Sequence, residues 1–306
     1  MDKRKRPFPK ATAEDIIFDA FIYITLFSLC AMTLYPFINT LAISLNDAID
    51  AIRGGIYLWP REFSLRNYEM ILRENTNITQ ALFISAARAV IGALTSVVSC
   101  MMLAYTLSRK NFVLRNFFTK FLVFTMYFSG GLIPVYLLIR DLGLINNFLV
   151  YILPGMISAF NVMIMRSYIE GIPESLVEAA KIDGASEYRI LFTIIFPISK
   201  PVIATIILFV AVRQWNSWFD TMLYASGRQE LSTLQFELQK LLSSTQSLTS
   251  TSYDAAVATG EAQKGMVTPN SIRAAMTIIA IVPILFSYPF LQKYFVSGLT
   301  LGGVKG

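Results

Sequence analysis

Hydrophobic residues in this chain come in long unbroken runs, at roughly 17–45, 80–107, 112–139, 144–165, 197–219 and 272–291, and most of these carry one charge or none. About 20 apolar residues in a helix cross the ~30 Å hydrocarbon core of a bilayer. In lipid every backbone N–H and C=O must be satisfied within the protein, so such runs predict helices. A soluble protein with buried helices would show a polar face at a 3.6-residue period. The stretch "LINNFLVYILPGMISAFNVMIM", residues 144–165, does not supply one. The predicted fold class is an all-α integral membrane bundle of six transmembrane helices.

Composition agrees: 55% of the residues are hydrophobic, 15% are charged and mean hydropathy is +0.55. With six spans, residues 1–15, 108–120, 166–200 and 292–306 share one side and carry 15 Lys and Arg, against 9 on the other. The richer side is expected to be the cytoplasm. The predicted organisation is a basic cytoplasmic N-terminus (1–15), a six-helix membrane domain (16–292) and a cytoplasmic tail (293–306). Within the domain, 46–79 and 220–271 read as outward loops, the second through its polar run from Leu241 to Gly265. "KRKR" at 3–6 adjoins a span and reads as an orientation signal, so nucleic acid is not an expected partner, whereas lipid is. The first run is too long for a signal-peptide core and no A-x-A-like site follows it. Cys30 and Cys100 both fall inside spans, which supports neither a disulfide framework nor a Cys-rich metal site.

The chain contains no histidine, which removes the commonest general base and metal ligand. It also lacks G-x-x-x-x-G-K-[ST], G-x-S-x-G and a paired acidic motif for magnesium. No catalytic or metal site is expected, and a membrane-embedded enzyme or assembly factor is the weaker reading. Transport then requires either an ion gradient used through intramembrane acids or a separate motor. Asp19 is the one carboxylate at membrane depth, and matching inverted halves are not visible.

Between the fourth and fifth spans lies "EGIPESLVEAAKIDGASEYR", residues 170–189. Pro173 suits a helix start, Gly184 a helix stop and Ser186 a second start. The segment holds Glu170, Glu174, Glu178, Asp183 and Glu187 against Lys181 and Arg189, a balance that an anionic lipid surface repels. An acidic helix with Ala179 and Ala180 at its middle suits a basic groove on another protein.

Glu178-Ala179-Ala180, three residues, Gly184, nine residues, Ile194, one residue, Phe196 and Pro197 resembles the EAA loop of binding-protein-dependent ABC importer permeases; phenylalanine stands where that pattern usually has leucine. "NFLVYILPG" at 147–155, "QWNSWFD" at 214–220 and "PILFSYPFLQKYFVSGLTLGGVKG" from 283 extend the resemblance to the carbohydrate branch, similar to the smaller permease of maltose importers and to LplC-like permeases. The resemblance implies a type I importer permease that moves an oligo- or polysaccharide by alternating access. Its implied partners are a second, homologous permease, two ATP-binding subunits that hold the ATP and Mg²⁺, and an extracytoplasmic substrate-binding protein; this chain itself would carry no cofactor. The alternative is the same machine for a non-sugar solute. The segment 170–197 would be the coupling helix region: Glu178 pairing with a basic residue of the ATPase, Ala179 and Ala180 allowing close docking, Asp183 adding charge, Gly184 turning the chain and Pro197 closing the pattern. The tail resembles one that reaches between ATPase subunits, and its glycines suit a disordered end equally.

For the sugar, Trp215, Asn216, Trp218 and Asp220 offer aromatic faces and hydrogen bonds near the outer end of the fifth span, where an interfacial aromatic belt is the alternative. Arg88 and Arg213 stand within spans. Snorkelling or an ion pair explains them, and pore-facing side chains would instead suit an anionic sugar. Gly130, Gly131 and Pro134, mid-way along the third span, form a candidate gating hinge, though passive membrane helices also contain such residues.

Overall fold

A computed structural model describes residues 13–74, 76–247 and 268–303. The N-terminal "KRKR", most of the polar run of the second outward segment and the last three residues lie outside them. The described residues form helices and turns with one isolated β-bridge, Asn46 to Phe63. Contacts divide the chain into two units, Met1–Glu69 with Ser250–Ile278 and Met70–Thr249 with Ile279–Gly306.

In the first unit, α1 (Ala13–Ser44) is apolar along its whole length, and its side chains are exposed from Glu14 to Phe37. The chain after it is folded rather than looped. Asp47 caps α2 (Ala48–Ile52) by accepting from the Ile49 and Asp50 N–H groups. Buried Asn46 donates to Asp50 Oδ2 at 2.9 Å and accepts from the Arg61 and Glu62 N–H groups at 2.7 and 2.9 Å. Arg61 Nε closes on the same carboxylate at 3.0 Å. The Asn46 hydrogen bond, then Arg61, holds the Asp50 carboxyl below its usual range. The segment ends in α3 (Arg66–Glu69), where Asn67 donates to the Ser44 and Asn46 carbonyls, both at 3.0 Å.

In the second unit, α4 (Thr76–Ser108) is the central element. Ala93, Val97, Cys100, Ala104 and Leu107 recur on one face and pack against two further helices, α7 (Ala159–Glu170) and α11 (Lys200–Asn216). Lipid removes the hydrophobic drive between helices, so small residues on this face matter because they let backbones approach. Gly92 is the clearest case: a Cβ there would stand 2.8 Å from Gln214 Nε2.

The third, fourth and fifth spans are not the single helices that their apolar runs predict. The third breaks between α5 (Arg115–Tyr127) and α6 (Leu132–Asp141), which are bent by 117°. Phe128 is extended and Gly131 sits at φ 88°, a conformation side-chain-bearing residues avoid. The fourth starts as two 3₁₀ turns, Phe148–Tyr151 and Leu153–Gly155, then bends by 50° into α7. The fifth comprises α9 (Glu187–Ile190), a π turn (Leu191–Ile195) and α10 (Phe196–Ile198), bent by 83° from α11. Pro197 and Pro201 flank that bend, and each removes a backbone donor. Three helices are thus long and apolar enough to cross a membrane, or up to six if each bent pair is one span.

The described part of the second outward segment, 220–247, is helical rather than an open loop. It contains α12 (Phe219–Tyr224) and α13 (Leu234–Ser247), with Thr233, Leu234 and Phe236 buried. The last helix, α14 (Pro269–Gly303), continues through most of the tail.

Candidate functional site

The segment after α7 is fixed to the second unit by its own charges. Glu170 accepts from Arg115 at 2.6 Å and from Arg166 at 2.9 Å. α8 (Glu174–Ile182) follows, its first residue paired with Lys110 at 2.8 Å. That lysine's hydrogen bond holds the Glu174 carboxyl below its usual range. Val177 and Ala180, three apart on one face, turn into the core formed by α4, α7 and α11. Gly184 ends the helix at φ 77°, and the Ala185 N–H returns to the Ala180 carbonyl at 2.9 Å. Ser186 caps α9, whose Glu187 takes the Tyr105 hydroxyl of α4 and Lys181 Nζ, the latter at 2.7 Å.

Three of the five acids are therefore matched by cations of this chain. Glu178 and Asp183 are exposed, with no ion pair among the described residues. Ala179 is exposed beside them. Ala180, expected to face a partner, is only 8% exposed and seats α8 on its own core instead, because it shares the inward stripe with Val177. The acidic composition also hid an apolar contribution: Ile182 is 86% exposed, and Tyr188 and Leu176 stand out nearby. Pro197 is exposed at the bend into α11.

Along α11 the chemistry changes. Arg88, a candidate for the substrate path with an ion pair as the other reading, is 1% exposed and fully engaged in such a pair. Its guanidinium donates to Gln214 Oε1 at 2.8 and 3.1 Å, to the Ser217 carbonyl at 3.3 Å and to both oxygens of Asp220, and lies 4.3 Å from the Tyr151 ring centre. Gln214 Nε2 in turn donates to the Tyr151 carbonyl at 2.9 Å. The pairing joins α4, α11, α12 and the first 3₁₀ turn, so Arg88 is a structural cation. Trp215 is likewise removed from the substrate path: it is buried and its Nε1 donates to the Ala280 carbonyl at 2.9 Å. Trp218 is half-buried, edge-on to Phe219.

Arg213 and Asn216 do reach open space. With Phe209 they occupy positions i, i+4 and i+7 of α11, and face Ser158, Phe160 and Asn161 at the start of α7 across a cavity of about 540 Å³. Sequence reasoning missed the α7 half. The signal was the Pro154–Gly155 break, which leaves a new helix start inside an apolar run. Gly130 and Gly131 lie in the 117° break and Pro134 in the first turn of α6 after it, none of them in this cavity's lining.

A family model described as the binding-protein-dependent transport system inner membrane component matches residues 96–301. The polygalacturonan/rhamnogalacturonan transport system permease protein YtcP of Bacillus subtilis (strain 168) is 36% identical over 291 residues, 95% of this chain and 99% of that protein. Protein LplC of the same organism is 33% identical, covering 95% of each. Among solved structures, a chain of a bacterial ABC transporter involved in the import of the acidic polysaccharide alginate superposes with TM-score 0.82 at 30% identity, covering 95% of this chain and 100% of that one.

Proposed function

The chain belongs to the family of binding-protein-dependent transport system inner membrane components, and on that premise we propose how its coupling end and its cavity divide the work of import. It is a multi-pass membrane protein, the permease subunit of an ATP-driven ABC importer of oligo- or polysaccharides, and not itself an enzyme. Such permeases act with a partner permease, ATPases and a substrate-binding protein.

In our reading the partner permease is a related but different chain, and the segment 170–197 faces the cytoplasm together with both termini. There α8 lies in a cleft of an ATP-binding subunit, which holds the ATP and Mg²⁺. Glu178 and Asp183 meet basic residues of that cleft, while Ile182 and Tyr188 supply apolar contact. The supporting observation is the division of labour on α8: Glu174, Val177 and Ala180 fasten it to this chain, and the remaining side chains are left outward. A helix fastened on one face and open on the other transmits a push.

The test is recovery of an ATPase with the tagged chain from mild detergent. Glu178→Lys is expected to lose it; full recovery with that variant would discard the docking face. Gly184→Val is expected to keep the ATPase but separate hydrolysis from uptake. An L-residue at φ 77° costs roughly 1–2 kcal/mol, whereas Gly184→Asn tolerates that conformation and should transport normally.

A further inference from the structure

We propose that the cavity between the start of α7 and the end of α11 is a subsite for an anionic saccharide, one that carries uronate carboxylates. This rests on the permease reading above and adds the chemical class of the cargo.

Four observations converge there. First, Arg213 brings a guanidinium to the cavity, and among the described residues no carboxylate pairs with it. Its one hydrogen bond is long, 3.4 Å to the Gly155 carbonyl. An arginine inside a membrane span is costly unless compensated, and Arg88 shows what compensation looks like in this chain. Second, Asn161 is 5% exposed and lines the cavity, yet its side-chain amide has no hydrogen-bond partner among the described residues. Its polar atoms open onto the cavity, where a ligand or water can bond them.

Third, α7 begins at this cavity because the fourth span is broken. The first N–H groups of a helix have no acceptor within it, and a 12-residue helix carries a positive partial charge at that end. Ser158 stands up to ~18 Å along α7 from the coupling segment, deep within a hydrocarbon core of ~30 Å. A half-helix that points its N-terminus at mid-depth is how interrupted membrane helices meet anionic groups. Fourth, Phe160 flanks the polar groups and offers an apolar surface for the C–H face of a pyranose ring, with Asn216 across from it for hydroxyls.

A neutral sugar would leave the Arg213 charge unanswered, and a simple anion would leave the Phe160 face and the amides unused. A uronate uses all of them: carboxylate to Arg213 and the α7 N-terminus, ring face to Phe, hydroxyls to Asn161 and Asn216. Gly155 sets the position of the guanidinium, since a Cβ there would come within 3.3 Å of Arg213 Nη2.

The experiment is uptake of labelled trigalacturonate and of neutral galactotriose by the complete importer, with its own ATPase, second permease and binding protein in proteoliposomes. Wild type is expected to take up trigalacturonate, and Arg213→Gln to lose about tenfold or more of it. Arg213→Lys should keep part. ATP hydrolysis on docking of the binding protein should survive in both variants, which separates lost recognition from lost folding. Asn161→Ala should lower trigalacturonate uptake by a smaller factor. If wild type carries only galactotriose, or if Arg213→Gln leaves trigalacturonate uptake intact or lowers both sugars alike, the inference falls while the permease reading stands. If wild type carries neither and hydrolysis ignores the binding protein, the permease reading falls with it.

Discussion

Arg88 and Arg213 are two arginines that the sequence places inside apolar spans, and the structure gives them opposite environments. Arg88 is enclosed by Gln214, Asp220, the Ser217 carbonyl and the Tyr151 ring. Arg213, one residue from Gln214 on the same helix, has a single long hydrogen bond and an open cavity before it. A charge that has found its carboxylate holds helices together. On our proposal, a charge left without one is answered by a ligand that arrives later. The lesson is that depth alone does not make an intramembrane charge functional; the presence or absence of an internal counter-ion decides it.

The comparison can be broken most severely at Asp220. Asp220→Ala strands the Arg88 charge, and such one-sided removal typically costs about 3–5 kcal/mol, so thermal unfolding in detergent should fall steeply. Adding Arg88→Met should recover much of the loss; a double variant no better than the single would show that Asp220 matters for another reason. Next in size is Gly92→Ala. Its Cβ would press on the Gln214 amide that holds Arg88, at about 1–3 kcal/mol, and the effect should shrink when Arg88 is already methionine.

A third arginine, Arg61, sits between these extremes, half-exposed against Asp50. Hydrogen bonding to Asn46 and the nearby Arg61 lower the Asp50 pKa, so its stabilisation is complete above the unfolded value of ~3.9 and is lost as pH falls through the lower folded value. Melting followed from pH 5 down to 3 should therefore show a smaller acid loss in Asp50→Asn than in wild type. Smallest of all, Arg213→Gln should change stability by under ~0.5 kcal/mol, as expected for a side chain that holds nothing together. A large loss there would put Arg213 in the same class as Arg88.

The apolar runs made the all-α membrane fold and the coupling segment legible, because length in lipid and the residue spacing of 178–197 are local properties of the chain. The breaks were only half legible. Gly131 and the prolines at 154, 197 and 201 are visible in the sequence, but whether a proline kinks a helix or parts it by 83° depends on neighbours that re-satisfy the freed carbonyls. Buried Ser199, at that bend, has a hydroxyl without a hydrogen-bond partner among the described residues. The site was legible as residues and not as sides. Trp215 and Asn216 are adjacent in a promising motif, yet one faces Ala280 and the other the cavity. Ala180 looked like a contact for a partner and is a contact for Val177's own core. A stripe reading of α11 at 209, 213 and 216 would have found the cavity face, and a search for the acid nearest Arg88 in depth would have found Asp220.

The end of α11 carries Gln214 and Trp215 toward the protein and Arg213 and Asn216 toward the cavity. Substitutions at those two cavity-facing positions therefore leave the Gln214 and Trp215 hydrogen bonds untouched. On this account the helix is a cassette, one side committed to assembly and the other open to respecification.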